Sequence, residues 1–101
     1  MKLAKYVKSP DETKRYSIEY SDWLDTGENL GSVMFAISPV TTPALAVQSS
    51  QIVEGETGAL SQLRMFVTGG VTDTSYTITV TAETSGGQIK QDTVLFVIRD
   101  V

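Results

Sequence analysis

The sequence SYTITVTAETSGGQIKQDTVLFVI, residues 75–98, decides the fold. In its first half, apolar residues alternate with threonine and glutamate, and this period of two places all the apolar groups on one face of a β-strand. The apolar set is Tyr76, Ile78, Val80 and Ala82. Gly86 and Gly87 follow, and glycine adopts positive φ without a Cβ clash, so the chain can reverse there. The stretch therefore predicts a β-hairpin whose second strand covers residues 88–98.

Four further apolar segments precede the hairpin and predict shorter strands. They cover residues 16–20, 30–38, 44–53 and 60–68, and the third is either one interrupted strand or two short ones. Proline, glycine and Ser/Asp turns separate them, and no segment has the i, i+3, i+4 apolar spacing of a long helix. Tyr76 resembles the tyrosine corner of immunoglobulin-like domains, although their cysteine and tryptophan partners are missing. The sequence thus predicts an all-β fold, a small immunoglobulin-like β-sandwich.

The last predicted strand departs from alternation. Residues 94–98 are five consecutive apolar residues, and a strand of a two-layer sandwich with one wet face is expected to alternate. Either parity satisfies the inward set, so the register stays open. The extra apolar groups are covered either within the monomer, by a bulge or a covered edge, or by another subunit. In the second case Leu95 and Val97 are candidate partner-binding residues.

Composition argues against catalysis. The 101 residues include no cysteine and no histidine, which excludes disulfides and removes the commonest general base and zinc ligand. No catalytic, cofactor-binding or metal-ligating residue is expected. Asp22, Asp25 and Glu28 lack the ligand spacing of a calcium loop, so turn and capping roles are favoured. Trp23, between them, is predicted to pack against one end of the core.

Charge divides the chain unevenly. Residues 1–15 carry five basic and two acidic residues, a balance of +3, whereas the remainder carries three basic and ten acidic residues, or −7. We expect residues 1–14 to form a basic, extended arm and residues 15–101 to form the sandwich. The arm contributes Lys2, Lys5, Tyr6 and Lys8 as candidate partner-binding residues, and deleting residues 1–8 is expected to leave the melting temperature nearly unchanged. An acidic body disfavours nucleic acid, and neither a membrane span nor a secretory signal is expected.

Several motifs resemble small structural proteins of tailed bacteriophages, described as fiber-tail adaptor or virion-associated proteins. They are KSPDE at 8–12, YSIEYSDWL at 16–24, the Gly-Gly pairs at 69–70 and 86–87, and YTITV at 76–80. The resemblance implies a non-enzymatic, multi-copy virion component, assembled in the host cytoplasm, that joins a tail fiber or other appendage to the tail or connector. Its partners would be other virion proteins or further copies of itself.

Two other classes of function stay open. One is a capsid decoration or cement protein of the same fold, or an adhesion module. The other is a carbohydrate-binding domain or enzyme that uses Trp23, Tyr16 or Tyr20 with the carboxylates. Asp22 and Asp25 form a weak candidate for a glycosidase acid pair, because they lie within one turn of a domain without a second lobe to form a cleft.

Overall fold

The computed structural model describes residues 2–55 and 58–99, and these residues contain seven β-strands. The strands are β1 (Lys2–Lys8), β2 (Thr13–Glu19), β3 (Leu30–Ser38), β4 (Leu45–Glu54), β5 (Leu60–Gly69), β6 (Thr74–Thr84) and β7 (Ile89–Ile98). Within residues 2–55 and 58–99, no helix is long and apolar enough to cross a membrane.

The predicted hairpin is present as β6 and β7. The two strands are antiparallel, with Tyr76 opposite Phe96 and Val80 opposite Asp92. In the connecting turn the Thr84 N–H donates to the Gln88 carbonyl oxygen at 2.9 Å, and Gly87 has a φ of 86°. A residue with a Cβ is strained at this φ, so glycine at 87 allows the tight reversal.

Two sheets face each other in a sandwich. One has the strand order β1-β7-β6-β3 and the other β2-β5-β4. All neighbours are antiparallel except β1 and β7, which are parallel. The tyrosine corner is also present, because the Val71 N–H donates to Tyr76 Oη at 2.9 Å and the Thr41 hydroxyl is hydrogen-bonded to the same oxygen at 2.8 Å. The prediction of an all-β, immunoglobulin-like sandwich is confirmed.

The core lies between the sheets and follows the period of two. The inward side chains of β5, β6 and β7 are almost completely buried. They are Leu63, Met65 and Val67 on β5, Tyr76, Ile78, Val80 and Ala82 on β6, and Val94, Phe96 and Ile98 on β7. Of the two possible inward sets of the last strand, Val94, Phe96 and Ile98 therefore face the core, and Leu95 and Val97 lie on the outer face.

The N-terminal segment differs from the predicted arm. Residues 2–8 are extended, but they form strand β1, which pairs with β7 from Lys2 opposite Thr93 to Lys8 opposite Ile98. The expectation of an extended arm outside the core is therefore wrong for these residues, while Met1 lies outside the described ranges. The physical reason is the long apolar strand β7, whose outer edge would expose unpaired backbone groups without β1.

Candidate protein-binding surfaces

Two of the predicted partner-binding residues are buried, and a third is partly buried against the core. Lys8 is completely buried, and Val97 is only 7% exposed on the outer face. The Tyr6 ring lies 4.5 Å from the Tyr16 ring and 5.4 Å from the Phe96 ring, between centroids. These three side chains pack within the domain, so the isolated chain offers little of them to a partner, and their part in docking stays a prediction.

Lys8 holds the turn between β1 and β2. Its Nζ donates to the carbonyl oxygens of Ser9 at 2.6 Å and Glu12 at 2.8 Å, and the Ser9 N–H donates to a Glu12 carboxylate oxygen at 2.9 Å. Burial lowers the pKa of Lys8, while the nearby charges of Glu12 and Asp11 oppose that shift. The ammonium group is thus used within the chain rather than offered to a partner.

Two predicted residues do share an accessible surface. Lys5 is exposed and Leu95 is half-buried, and they are paired across β1 and β7 on the outer face of the four-stranded sheet. Val7, the outward neighbour of Lys5 on the strand, is 45% exposed. We call Lys5, Val7 and Leu95 the β1–β7 face. Lys2 is also a predicted partner-binding residue, and its side chain is not among those that the structure describes.

The acidic loop after β2 takes the predicted structural roles. Glu28 accepts hydrogen bonds from the Asp25 N–H at 3.2 Å and the Thr84 hydroxyl at 2.7 Å, and Asp25 accepts one from the Gln88 side-chain amide at 2.7 Å. In residues 2–55 and 58–99 no three side chains of the kinds that ligate metals cluster together. The loop carboxylates therefore connect this loop to the β6–β7 turn.

Trp23 packs against the end of the core, as predicted. Its ring meets the Tyr20 ring edge-on at 6.2 Å between centroids, and Lys90 Nζ lies 5.9 Å from the Trp23 centroid. An amine at this distance from an indole makes a cation–π contact. One side of the ring system is thus already occupied by the chain itself.

The outer face of the three-stranded sheet has a feature that sequence reasoning missed. Arg15 on β2 is opposite Phe66 on β5, and Phe66 is opposite Ser49 on β4. Arg64 lies two residues from Phe66 on the same face, and Phe66 is 40% exposed. An open depression of about 350 Å³ is lined by Arg15, Ser49, Ser50, Gln51, Arg64 and Phe66. We call this surface the arginine face.

The sequence contains part of the signal for this face. Phe66 interrupts the alternation of β5, whose inward residues are Leu63, Met65 and Val67, and an apolar residue on the outward parity predicts a covered or functional surface. The two arginines are 49 positions apart in the sequence, however. Only the register of β2 against β5 brings them together.

Comparison with solved structures supports the fold. A 2,6-sialyltransferase from Photobacterium sp. JT-ISH-224, crystallised as a ternary complex with CMP and lactose, contains a region that superposes with a TM-score of 0.54 and 11% sequence identity. The match covers 98% of this chain but 17% of the sialyltransferase chain. A likeness at this identity concerns the fold alone. Among curated protein sequences nothing matches.

A match to a protein family covers most of the sandwich. Residues 8–97 match the family described as podophage GP4 fiber-tail adaptor protein gp77. The matched range runs from the last residue of β1 to the penultimate residue of β7, so it includes β2 to β6 and nearly all of β7, whereas Lys5 and Val7 precede it. The chain belongs to the Gp77 family of podophage fiber-tail adaptor proteins.

Proposed function

We propose that this chain is a non-enzymatic virion protein that joins a tail fiber or similar appendage to the tail or connector of a podophage. The observation that carries the proposal is the family match over residues 8–97. Composition agrees with it, because a chain without histidine or cysteine lacks the commonest general base and the thiol nucleophile.

The β1–β7 face is the first surface proposed for docking. It presents the exposed Lys5 side chain together with two aliphatic side chains, Val7 and Leu95, on the outer face of the four-stranded sheet. Apolar residues next to a cation suit a partner protein that offers both apolar area and a carboxylate. In the proposed role the partner is a tail, connector or fiber protein, and we expect several copies of the chain in each virion.

Deletion of the gene from its phage tests the proposal. Particles that lack the chain should retain filled capsids and tails but lose their fibers, which negative-stain electron microscopy can count. Complementation with the wild-type chain should restore the fibers. If fibers remain on particles that contain no trace of the chain by mass spectrometry, the adaptor role is refuted.

Two substitutions connect the β1–β7 face to that role. Leu95→Glu should prevent complementation, since it places a carboxylate in the proposed apolar contact. Thr79→Glu, on the neighbouring strand β6 and the same outer face, is the matched control and should complement. Equal behaviour of the two variants, with both folded by circular dichroism, would contradict the choice of this face.

The alternative roles predict other phenotypes. A capsid decoration protein would leave fibers in place and make capsids less resistant to heat or low ionic strength. A carbohydrate-binding module would bind glycans with a change in Trp23 fluorescence. Neither phenotype is expected from an adaptor.

A further inference from the structure

We propose that the arginine face binds an extended, acidic segment of a partner protein whose carboxylates are spaced two residues apart. This inference rests on the proposed adaptor role and names the chemistry of one of its partners. It concerns the sheet opposite the β1–β7 face, so the two docking surfaces would lie on opposite sides of one domain.

The first argument is the state of the two guanidinium groups. Within residues 2–55 and 58–99, neither Arg15 nor Arg64 forms an ion pair, and Arg64 Nε donates only to Gln62 Oε1 at 3.2 Å. The acidic residue nearest along β2 on this face, Glu19, accepts a hydrogen bond from the Ser61 hydroxyl instead. Two cations thus share one face of a chain whose net charge is −4. Their natural complement is a carboxylate, which accepts two parallel hydrogen bonds from a guanidinium.

The second argument is spacing. Arg15 is opposite Phe66, and Arg64 is two residues from Phe66, so the arginines occupy diagonal positions of an antiparallel pair. Side chains at such positions have backbones about 7–8 Å apart. In an extended peptide, residues i and i+2 lie on one face and are about 6.6–6.8 Å apart. Acidic residues that alternate along an extended segment therefore match the two arginines.

The third argument is the phenyl ring of Phe66, which is a neighbour of both arginines. Phe66 is 40% exposed, and the polar side chains of Ser49 and Gln51 lie beside it on β4. An exposed aromatic ring flanked by arginines and small polar groups has the composition of an interface centre with hydrogen-bonding groups around it. The aliphatic part of an extended segment would cover the ring while its backbone meets the polar groups.

Nucleic acid fits the whole molecule less well. A phosphate backbone also pairs with guanidinium groups, but it carries a charge at every nucleotide and would extend beyond this small basic area onto an acidic body. A short acidic segment of a protein needs only the two positions that the arginine face supplies.

Fluorescence anisotropy with labelled peptides tests the proposal on the full chain. The probe is an octapeptide of alternating threonine and glutamate, and the control peptide has the same composition with its glutamates in adjacent pairs. The alternating peptide should bind at least fivefold more tightly than its isomer, and its affinity should fall with added salt. A labelled single-stranded octanucleotide is the third probe.

Variants assign the binding to this surface. Arg15→Gln with Arg64→Gln should weaken binding of the alternating peptide at least tenfold, and Phe66→Ala at least threefold. The matched control is Lys14→Gln with Arg99→Gln, which removes the same net charge from exposed positions outside both proposed docking faces and should leave affinity within twofold. Thermal melts establish that each variant is folded.

Three results would overturn the proposal. The first is an equal loss of peptide affinity in the arginine double variant and in the control double variant. The second is equal affinity for the two peptide isomers, and the third is tighter binding of the oligonucleotide than of either peptide. The adaptor role is scored separately by fiber counts in the gene deletion. If the chain binds the alternating peptide but its deletion leaves the fibers in place, this inference holds and the adaptor role is refuted. If the deletion removes the fibers but the chain does not bind the alternating peptide, the adaptor role holds and this inference is refuted.

Discussion

The two long sides of the sandwich are closed to different degrees. On one side, β1 and β2 meet at the edges of the two sheets, and the rings of Tyr6, Tyr16 and Phe96 fill the space between them. On the other side, β3 and β4 meet, and the inward residues of β3 stay half-exposed. We call these the aromatic side and the open side.

The difference shows what alternation does and does not specify. Val33, Phe35 and Ile37 alternate as regularly as the inward residues of β6, and all three pack against the core. Their burial is partial because a four-stranded sheet faces a three-stranded one. The period of two selects the face of a strand, whereas the amount of surface removed from water depends on the opposing sheet.

The largest expected effect comes from removing the strand that closes the aromatic side. Deleting residues 1–8 removes the Tyr6 ring, uncovers Tyr16 and Phe96 and exposes the edge of β7. We expect a loss of about 5 kcal/mol or more, comparable with the whole stability of a small domain. The truncated chain should therefore melt far below the wild type or fail to fold, as circular dichroism would record. Lys5→Ala, at an exposed position of the same strand, should change stability by less than about 0.5 kcal/mol. An unchanged melting temperature after truncation would restore the arm predicted from the sequence.

Phenylalanine truncations compare the two sides directly. Phe96→Ala on the aromatic side should cost about 3–5 kcal/mol, because the ring is completely buried. Phe35→Ala on the open side should cost about 1–2 kcal/mol, since part of that ring is already in water. Urea denaturation of both variants measures the difference. Equal costs would mean that the open side is covered in solution, for example by a second copy.

The sequence predicts most strands but not how the first one is used. Apolar runs, alternation and turn residues are together enough to locate β3, β6 and β7 within a residue or two. The KLAKYVK segment offers only Ala4 and Tyr6 as an inward set, and its partner strand lies about 90 residues away in the sequence. Such a parallel pairing depends on the assembled sheet, so nothing in the local pattern reveals it. The burial of Lys8 was not foreseen for the same reason, because its acceptors belong to a turn that forms only once β1 and β2 are placed.

Tyrosine hydroxyls sharpen the comparison. Tyr76 Oη is hydrogen-bonded to Val71 and Thr41, and Thr41 lies in the connection between β3 and β4 on the open side. Tyr76→Phe should therefore cost about 1–2 kcal/mol, because it leaves the Val71 N–H without its partner. Tyr16→Phe on the aromatic side should be close to neutral, since the buried Tyr16 hydroxyl has no hydrogen-bond partner in the described part of the chain. Chemical denaturation would measure both values, and a larger loss for Tyr16→Phe would contradict this assignment.

The surface residues were less predictable than the core. Leu95 was identified because it breaks an expected alternation, and Phe66 breaks one in the same way. Arg15 was counted in the basic charge of residues 1–15, yet its outward position on β2 places it beside Arg64. The basic residues that are close together in the first part of the sequence are thus buried or lie on different surfaces of the folded domain. Lys8 is buried, Lys5 lies on one outer face and Arg15 on the other.

The smallest expected effect appears only in alkali and tests how well the aromatic side excludes water. Burial, with a smaller contribution from the Asp92 carboxylate, raises the pKa of Tyr20 to about 12, whereas an unfolded tyrosine titrates near 10. The unfolded chain therefore releases this proton first as the pH rises, and stability should fall between about pH 10 and 12. Tyr20→Phe removes that proton and a buried hydroxyl without a partner among the described residues. The variant should match or slightly exceed the wild type in stability at pH 7 and lose less stability across this window. Urea midpoints at pH 9, 10 and 11 measure the effect, and parallel curves for the two proteins would mean that water reaches the Tyr20 hydroxyl in the folded state.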